Sequence, residues 1–599
     1  MPIVPLEGFG KGGLISDLPR ESLGMQFFDE CLNMKSKYGS ITGVPDFVQE
    51  SGGRLRLYSD SGDGAGYSTN LAIKPAEITQ WTRSGDEFLD VLTLGFTSGG
   101  TGSIYLTGGD TLTGGLSKVE PLTSQYSFSY STTQKLSSFI FNEMAIVNLP
   151  SAPPQFSGDK SSFTRIPNWL SEAYGSAIST TVSGEAYEVQ SVIITDWTPV
   201  GGPSAVVVGT KFDSTFSGDV SSYGTVKDTQ PYYAERMSSF NGRLIALNLY
   251  NDLGDGVGSN DIRSSISLAF SSSITSRNSL SGVEWYASSV NSAGEVLLTE
   301  TSGRIVDAVQ LGDYLMAYKT DSVLRYFDTG SPFFLTGETI FLDDGVMSER
   351  CVVDMGGNKH FVVGNYGLYM HTGGPESVVV SDKKVEKAFF NDLPKEAEDR
   401  ALTFAFHDTL AKEIWVCYRD KSQSTSDTDK GCTRAMVFDY IEGTFHKRTL
   451  PNVNDIIETE VNGKPEIIAA SLDVVAGSSS AGSLSILNKT TDTGAVGSYE
   501  ADGFIRWNSR TLDSVDTLKE LNGIYPTSEN SFNVKVFTDN VPTVHDMSTE
   551  DNCLFDPLLD YKVDFREAGR YYTLEFNMNG TVSPELSEVK VDMETGGFK

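Results

Sequence analysis

Basic residues are scarce in this chain. Lysine and arginine number 46 against 79 aspartates and glutamates, which gives a net charge of -33 over 599 residues. A strongly negative electrostatic field argues against a surface that binds nucleic acid through counterion release. The same field would let DNA pass an acidic wall without adhering to it. An acidic surface that serves only solubility is the alternative interpretation.

Cysteines and long apolar runs are also few. No stretch approaches the ~18 apolar residues of a membrane span, and the N-terminus lacks a charged region followed by an apolar run. We therefore expect a protein that is neither exported by its own signal nor inserted in a membrane. The cysteines show no metal-ligand spacing, which favours reduced thiols in a protein made in the cytoplasm. They are Cys31, Cys351, Cys417, Cys432 and Cys553.

The opening segment EGFGKGGLISDLPRE places four glycines and one lysine between Gly8 and Gly13. A phosphate-binding loop needs a strand before it, the spacing Gly-x-x-x-x-Gly-Lys-Ser/Thr and a helix after it, so that backbone N–H groups converge on the anion. Here Lys11 is followed by Gly12, and Pro19 stands where the helix would run. The segment therefore does not fit a phosphate-binding loop.

Glycine and aromatic residues are abundant. The chain has 59 glycines, 33 phenylalanines and 25 tyrosines, and its hydrophobic fraction is 39%. Aromatic and β-branched residues interrupted by turn formers are typical of sheets. The composition therefore predicts a folded, mostly β protein, whose length is divided among several domains or taken up by one repeat-built body.

Similar strand patterns return along the chain. Residues 136–149 and 237–249 share Ser-Ser-Phe, a central Asn and an apolar strand that ends in Asn-Leu, and Phe88 to Gly109 has the spacing of a hairpin. The segment that begins at Asp313 aligns with the one at Lys359 at an offset of about 46 residues, within the ~40–50 of a four-stranded propeller blade. These units predict a β-propeller, with a stack of β-sandwiches as the alternative.

Two other regions depart from the repeat. Ser381 to Ala401 has a Ser or Asp N-cap, apolar positions on one face and Pro394 in its middle, which predicts a short pair of helices between blades. After about residue 485 the pattern becomes alternating, as in Phe532, Val534 and Val536 and again over residues 571–578. That alternation predicts half-buried strands of an antiparallel sheet or sandwich.

These patterns predict an all-β protein with a β-propeller-like body, an inserted β-rich lobe and a C-terminal antiparallel β-domain. Ser/Gly/Pro-rich flanks mark the lobe. The predicted units are an N-terminal docking segment at 1–48, the first blades at 49–150, the lobe at 151–230, the remaining blades at 231–485 and the C-terminal β-domain at 486–599.

No residue pattern assigns a catalytic site. The histidines lack the i, i+4 spacing around a Glu that marks a zinc helix, and no Gly-x-Ser-x-Gly nucleophile motif occurs. With 79 carboxylates some pair must lie close together, so proximity alone does not indicate a glycosidase. We expect no catalytic residue, no cofactor and no enzymatic activity.

The candidate metal site is the loop NDLGDGVGSND. Its carboxylates Asp252, Asp255 and Asp261 offer the oxygen ligands that calcium prefers. The loop lacks the EF-hand register and its terminal Glu, and Asp and Gly also serve turn geometry. An exposed turn without a metal is therefore the favoured alternative.

The segment KGGLISDLPRESLGMQFFDECLNMKSKYGSITGVPDFV resembles the N-terminus of the tail nozzle proteins of short-tailed bacteriophages, also called tail tubular protein B or tail stabilisation protein. The family pattern is Gly-Gly-aliphatic-Ser, a Pro, then an Asn, a Gly and a closing Pro. The matching positions are Gly12, Gly13, Ile15, Ser16, Pro19, Asn33, Gly43 and Pro45.

Four further segments resemble the family, in the family's order. They are FNGRLIALN from Phe240, LGDYLMAYKTDSVLRYF from Leu311, LKELNGIYPTSENSFNVKVF from Leu518 and VDFREAGRYYTLEF from Val563. The region 150–230 shows no resemblance. The similarity is therefore spread over nearly the whole chain outside the lobe.

The resemblance implies a homohexameric ring in the virion tail, made in the host cytoplasm. Its partners would be the tail adaptor protein, tail fibres or spikes, the host cell surface, and viral DNA that passes through the lumen without specific binding. It implies no catalysis, and it makes the glycine-rich opening a pliable segment that docks on the protein's own body or on a neighbouring subunit. A glycan-cleaving β-propeller enzyme and a receptor-binding adhesin remain open as alternatives.

The two alternatives make different structural demands. An enzyme needs a buried carboxylate pair with separated pKa values, and an adhesin needs an exposed aromatic patch. Tyr232 with Tyr233, or Trp285 with Tyr286, are candidates for that patch, although aromatic pairs on strands more often pack in a core.

Overall fold

A computed structural model describes the fold of this chain over most of its length. Almost every regular element is a β-strand, so the all-β class is confirmed. The described residues are 3–20, 23–49, 56–58, 67–70, 73–84, 90–97, 101–108, 118–124, 128–129, 136–149, 152–173, 176–183, 186–251, 261–287, 292–330, 334–342, 344–423, 430–461, 464–472, 483–487, 502–512, 517–539, 552–579, 583 and 585–595.

Six antiparallel four-stranded units follow one another along the chain as blades 1 to 6 of a propeller. Blade 1 contains β10 Ile73–Trp81, β11 Asp90–Thr97, β12 Thr101–Gly108 and β13 Lys118–Ser124, and blade 2 contains β15 Ser137–Phe141, β16 Met144–Leu149, β17 Ala152–Ser157 and β18 Ser162–Arg165. Blade 3 contains β25 Tyr233–Phe240, β26 Arg243–Asn251, β27 Asp261–Phe270 and β28 Gly294–Leu297, and blade 4 contains β29 Ile305–Leu311, β30 Tyr314–Lys319, β31 Ser322–Asp328 and β32 Leu335–Leu342. Blade 5 contains β33 Val352–Asp354, β34 His360–Val363, β35 Leu368–His371 and β36 Ser377–Val379, and blade 6 contains β37 Phe404–Asp408, β38 Glu413–Tyr418, β39 Cys432–Asp439 and the first half of β40 Thr444–Val461.

A seventh blade is assembled from distant parts of the chain. It contains the second half of β40, then β41 Lys464–Ser471, β42 Ser483–Leu487 and β7 Phe47–Gln49. Strand β40 serves two blades, because its first half pairs with β39 and its second half with β41. The outermost strand, β7, comes from the N-terminal segment and pairs antiparallel with β42, so that Phe47 faces Leu487.

The blades close into a ring. Their first strands pack in succession, β10 on β15, β15 on β25, β25 on β29, β29 on β33 and β33 on β37. Strand β40 packs on β37 and also on β10, which returns the contacts to blade 1. The propeller predicted from the repeats is therefore confirmed, and the described residues supply seven blades.

Apolar side chains fill the space between neighbouring blades. Between blade 7 and blade 1, for example, Ile468 and Ile486 share one core with Ile78 and Val91. Burying each such side chain contributes roughly 1.5–3 kcal/mol. Because no blade buries this surface alone, closing the ring is itself a source of stability.

The repeated Ser-Ser-Phe segments are the first hairpins of blades 2 and 3. In blade 2 the turn residues Asn142 and Glu143 have φ of 48° and 67°, and in blade 3 Asn241 and Gly242 have 46° and 71°. Two successive left-handed residues match the right-handed twist of the flanking strands, and Asn and Gly accept that conformation best. The repeat thus encodes a turn as well as two strands.

Three short strands extend blade 1, and β18 of blade 2 pairs in parallel with the end of β13. The short strands are β8 Arg56–Tyr58, β9 Tyr67–Asn70 and β14 Phe128–Ser129.

The inserted lobe lies between blades 2 and 3 and has its own core around Trp197. The predicted start at residue 151 is wrong, because β17 and β18 pair with β16 as the outer strands of blade 2. The Pro-rich stretch that suggested a boundary is strand β17 itself. The lobe strands are β19 Ser171–Ala173, β20 Thr180–Thr181, β21 Ala186–Val192, β22 Lys211–Asp213, β23 Gly218–Asp219 and β24 Gly224–Pro231.

The C-terminal domain is a sandwich of two antiparallel sheets. One has the order β1-β49-β44-β47 and the other β4-β43-β48-β45-β46. Their strands are β1 Ile3–Pro5, β4 Glu30–Leu32, β43 Phe504–Arg510, β44 Lys519–Thr527, β45 Phe532–Asp539, β46 Asn552–Phe555, β47 Val563–Gly569, β48 Tyr571–Met578 and β49 Glu588–Thr595.

Two sequence-based expectations for this domain need correction. The segment 1–48 is not a separate unit, because β1 pairs with β49 and β4 pairs with β43 inside the sandwich. Strand β48 is not half-buried either. Glu575 on its polar face is 2% exposed and is neutralised by Arg506 and Lys535, so both faces are covered.

The rest of the N-terminal segment runs along the propeller. Its short strands are β2 Gly13–Leu14, β3 Phe27–Phe28, β5 Met34–Lys37 and β6 Ser40–Gly43. Gly13 has φ of 75°, and a Cβ placed there would lie 2.6 Å from Thr444 Cβ of β40. A Cβ on Gly12 would lie 2.2 Å from the Phe27 ring. These glycines let the backbone pass against the protein's own body.

The predicted pair of helices is present as α1 Glu386–Asp392 and α2 Ala397–Arg400, between blades 5 and 6. The predicted N-cap is wrong, since neither Ser381 nor Asp382 caps α1. Instead Asp17 of the N-terminal segment accepts hydrogen bonds from the N–H groups of Lys387 at 2.8 Å and Ala388 at 3.1 Å. A cap so distant in sequence leaves no local pattern.

We expect Asp17→Ala to lower the free energy of unfolding by about 0.5–2 kcal/mol, because two N–H groups at the start of α1 lose their acceptor. Denaturant titration of both proteins measures the difference. Asp382→Ala, which removes an exposed carboxylate beside the same helix, is the matched control. An equal loss in both variants would contradict the capping role of Asp17.

Candidate functional site

Five charged residues from five blades meet where the first strands converge. They are Glu77 on β10, Arg236 on β25, Asp307 on β29, Arg350 just before β33 and Asp455 on β40, and together they form the axial cluster. The three carboxylate residues are at most 4% exposed. Ionised side chains are buried only when they are paired and hydrogen-bonded.

Arg350 connects most of the axial cluster. Its guanidinium binds the Asp455 carboxylate and lies 5.1 Å from the centre of the Phe404 ring in blade 6. Its backbone N–H donates to Asp307 Oδ2 at 3.1 Å, and Asp307 Oδ1 lies 3.3 Å from Arg236 Nε. One residue of blade 5 thus contacts blades 4, 6 and 7.

Backbone groups bind the remaining carboxylate oxygens. The N–H of Ser138 in blade 2 donates to Glu77 Oε1 at 2.6 Å. The N–H of Ile78 in blade 1 donates to Asp455 Oδ2 at 2.9 Å. These hydrogen bonds therefore join blade 1 to both of its neighbours, blade 2 and blade 7.

Burial sets the proton affinity of Glu77. Removal from water raises its pKa to about 7, Arg350 opposes that rise, and the Asp455 charge adds to it. For Arg350, burial alone would lower the pKa, but the Asp455 and Glu77 carboxylates outweigh it and raise the pKa further. The cluster is built for mutual neutralisation and leaves no acid–base pair open to a substrate.

We expect Glu77→Gln to gain stability relative to the wild type as pH rises. The pKa of Glu77 is higher in the folded protein than in the unfolded chain, so wild-type stability falls with pH between the two values, from about 4.3 to about 7. A glutamine keeps the acceptor for Ser138 and does not titrate.

Urea denaturation of both proteins at about pH 5 and about pH 8 measures the effect. Glu442→Gln, a change in an exposed turn, is the control and should show no such dependence. A stability difference between Glu77→Gln and wild type that is the same at both pH values would contradict the raised pKa.

A second group of carboxylates lines a pocket of about 430 Å³ beside blades 6 and 7. Asp408 at the end of β37 faces Glu413 at the start of β38. Burial raises the pKa of Asp408 to about 6, whereas Lys35 overcomes burial and lowers the pKa of Glu413 to about 2. This is the separated pair that an enzyme would need.

The hydrogen bonds of this pair indicate a structural use. Asp408 Oδ1 accepts the N–H groups of Leu410 at 3.1 Å and Ala411 at 2.8 Å, as in a carboxylate-stabilised turn. Glu413 Oε1 lies 2.6 Å from Lys35 Nζ of the N-terminal hairpin. Both carboxylates are therefore engaged in turn geometry and in docking the N-terminal segment.

Two buried histidines share one tyrosine between blades 4 and 5. The Tyr318 hydroxyl lies 2.6 Å from His360 Nδ1 and 2.8 Å from His371 Nε2. His371 Nδ1 accepts the Gly373 N–H at 3.0 Å, so Nε2 carries the proton and donates to Tyr318. Tyr318 then donates to His360, whose Nε2–H donates to the Gln310 carbonyl at 3.1 Å.

Burial keeps both imidazoles of this chain neutral. It lowers the pKa of His371 to about 3 and also lowers the pKa of His360. Every ring nitrogen has a partner, so the chain serves as a polar link between two blades. Across the described part of the protein, no three His, Cys, Asp or Glu side chains are placed to hold a metal ion.

The predicted calcium loop falls mostly outside the described residues. Asp252 and Asp255 are not among them, and Asp261 begins β27, where it faces Asn251 in the hairpin of blade 3. The calcium site therefore stays a prediction.

The predicted aromatic candidates lie in cores or pack on neighbours. Tyr232 and Trp285 are buried in the core between blades 2 and 3. Tyr233 packs edge-on against its cross-strand partner Tyr250 with ring centres 5.5 Å apart, and Tyr286 lies beneath Lys211 Nζ at 4.7 Å. None of them forms an open stacking platform for a sugar.

Two apolar surfaces are exposed instead. The first, the Leu tip, follows β46 and presents Leu558, Leu559 and Tyr561, which are 90%, 82% and 80% exposed. The second, the lobe patch, consists of aliphatic residues on loops of the inserted lobe. Its members are Val182, Ile193, Ile194, Val207 and Val208.

Sequence reasoning missed the axial cluster and both apolar surfaces. The cluster left a weak signal at Asp307, which is the one acidic residue of the mostly apolar strand IVDAVQL. Such a residue needs a buried partner, but the partner lies on another blade. The segment FDPLLDY likewise stands out only as paired leucines within a turn.

Comparison with known proteins leaves the family open. No family model and no curated protein matches the chain. The structure of apo AztD from Citrobacter koseri is similar over 70% of this chain and 96% of its own, at 12% identity and a TM-score of 0.29. A glycoside hydrolase family 43 arabinoxylan arabinofuranohydrolase from Bacillus subtilis covers 60% of this chain and 94% of its own, at 9% identity and a TM-score of 0.21. PorZ from Porphyromonas gingivalis covers 94% of this chain and 86% of its own, at 10% identity and a TM-score of 0.21. Likeness at this level carries no inference about activity.

Proposed function

We propose that this protein is a structural subunit of a short bacteriophage tail, a nozzle protein whose copies form a ring through which the viral genome leaves. The observation that carries the proposal is the pair of exposed apolar surfaces, the Leu tip and the lobe patch. A monomer in water rarely keeps such surfaces, which are typical of contacts with other proteins. The resemblance of the opening segment to nozzle proteins supports the same assignment.

The closed axis supports a structural role. The axial cluster occupies the centre of the propeller with bound, mutually neutralised charges. A buried network of this kind holds blades together and offers no space for a strand of DNA. In the proposed ring, the channel therefore runs between copies of the chain and not through each propeller.

The negative net charge of the chain supports the passage of DNA without adhesion to the ring. The chain carries 33 more acidic than basic residues, and carboxylates that line a lumen would repel the phosphate backbone of DNA. The ring would attach to an adaptor protein above it and to fibres or spikes around it. The lobe patch, with its exposed aliphatic side chains, is the surface that suits the second contact.

We expect the purified protein to form rings of six copies in negative-stain images and to leave duplex DNA unbound at low salt. The reason is the net charge of -33, which opposes the counterion release that DNA binding needs. Electrophoretic mobility of a labelled duplex measures binding. Particles that remain single propellers, or tight binding that weakens steeply with added salt, would contradict the proposal.

A glycan-cleaving enzyme is the second candidate, favoured by one observation. Asp408 and Glu413 flank a pocket and have pKa values on opposite sides of the usual range. If they were acid and base, Asp408→Asn would abolish turnover of a polysaccharide substrate without loss of folding. We expect no turnover in the wild type, since both carboxylates are bound within the protein.

A further inference from the structure

The Leu tip is a rigid feature of the sandwich. Asp556 Oδ1 accepts the Leu558 N–H at 3.0 Å, and the Asp556 carbonyl accepts the Asp560 N–H at 2.7 Å. The Asp560 carboxylate in turn accepts the Asp556 N–H at 3.0 Å. These bonds fix the turn so that both leucines point outward, flanked by two carboxylates. A preformed apolar tip binds at low entropic cost.

A pocket with the complementary character lies between α1 and α2. It has a volume of about 580 Å³, and its apolar walls include Phe390, Leu393 and Pro394. Lys395, Arg400 and Lys421 lie on its lining. We refer to it as the helix pocket.

The helix pocket is basic, whereas the protein as a whole is acidic. Two of its own carboxylates are neutralised from outside the lining, Asp399 by Lys430 at 2.7 Å and Asp420 by Arg434 at 2.5 Å. The cations on the lining therefore exceed the remaining carboxylate charge. In a chain with 46 basic and 79 acidic residues, a basic apolar recess is the matching surface for an apolar tip flanked by aspartates.

We propose that the Leu tip of one copy of this chain occupies the helix pocket of the next copy. This inference rests on the proposed ring, and it names the contact that builds it. The tip belongs to the sandwich, whereas the pocket lies between blades 5 and 6, so the two surfaces differ. A contact between unlike surfaces is heterologous, and it leads to a closed ring when the rotation between copies closes.

Two surface variants test the contact by sedimentation velocity. Leu558→Ser with Leu559→Ser alters the tip, and Lys395→Glu with Arg400→Glu reverses charge in the pocket. All four residues are exposed, so folding should persist, which an unchanged melting temperature verifies. We expect each variant to raise the dissociation constant of self-association by at least about 30-fold, as loss of a central anchor does.

A mixture of the two variants gives the sharpest result. Each variant retains one half of the contact, so the mixture should yield one-to-one dimers and nothing larger. Leu410→Ser and Lys383→Glu, equivalent changes at other exposed positions, should assemble as the wild type does.

The outcomes separate this contact from the proposed function. If wild-type rings form and either variant also forms them, the contact is overturned while the nozzle proposal stands. If the mixed variants remain monomers while wild type forms rings, the tip and the pocket are not partners and the contact is again overturned. If the wild type stays monomeric at every concentration, both proposals fail.

Discussion

Arg350→Met should lower the free energy of unfolding by about 3–5 kcal/mol. Removing the guanidinium leaves Asp455 and Glu77 as buried carboxylates without their main cation. The free-energy penalty of an unpaired buried charge is larger than the net stabilisation that the ion pair contributed. Denaturant titration at neutral pH measures the loss. Arg277→Met, which breaks an exposed ion pair with Glu143, is the control and should cause little change.

A double-mutant cycle with Asp455→Asn identifies the cause. If the two side chains act on each other, their coupling energy should be about 0.5–3 kcal/mol, as is usual within one network. Additive losses would mean that Arg350 does not act through Asp455, and they would leave its charge on Glu77 and its packing on Phe404 as the cause. If Arg350→Met lowers the free energy of unfolding no more than Arg277→Met does, the axial cluster does not stabilise the propeller.

Phe47→Ala should have an effect of the same size, about 3–5 kcal/mol, because it empties a buried aromatic site. Phe47 lies on β7, packs edge-on against Trp415 with ring centres 6.1 Å apart, and lies under the Arg448 guanidinium at 5.1 Å. Losing this ring weakens the attachment of the outermost strand of blade 7. The free energy of unfolding is measured by denaturant titration.

Limited proteolysis shows where the protein opens. We expect cleavage of Phe47→Ala to begin in blade 7, around β41 and β42, since these strands lose the cover of β7. Tyr38→Ala, at an exposed position of the same segment, is the matched control. Equal stability of the two variants would contradict the closing role of β7.

Local patterns predicted much of the fold. The hairpins at 136–149 and 237–249, the matching strands of blades 4 and 5 and the helices near Phe389 all rest on sequence that determines its own turn or period. The all-β class and the propeller body follow from the same signals. The number of blades did not, because β40 serves two blades and one strand of blade 7 comes from the other end of the chain.

The features that sequence reasoning missed depend on distant partners. Asp17 caps a helix far along the chain, β1 and β4 complete the sandwich, and the axial cluster joins five blades. None of these pairings has a spacing that a local pattern could reveal. The candidate site was not predictable for the same reason, and the phage-tail assignment from the opening segment stays a prediction.

The pairing of β7 with β42 also determines when folding can finish. During synthesis, six blades leave the ribosome in order, and each can pack on the one before it. The seventh cannot be completed until β42 has emerged, so the early strand β7 must wait, unpaired, for a late one. Contacts between residues so far apart in sequence form slowly. The unpaired strand β7 is thus open to wrong partners for most of translation, and a slow final folding phase after release from the ribosome is the expected signature.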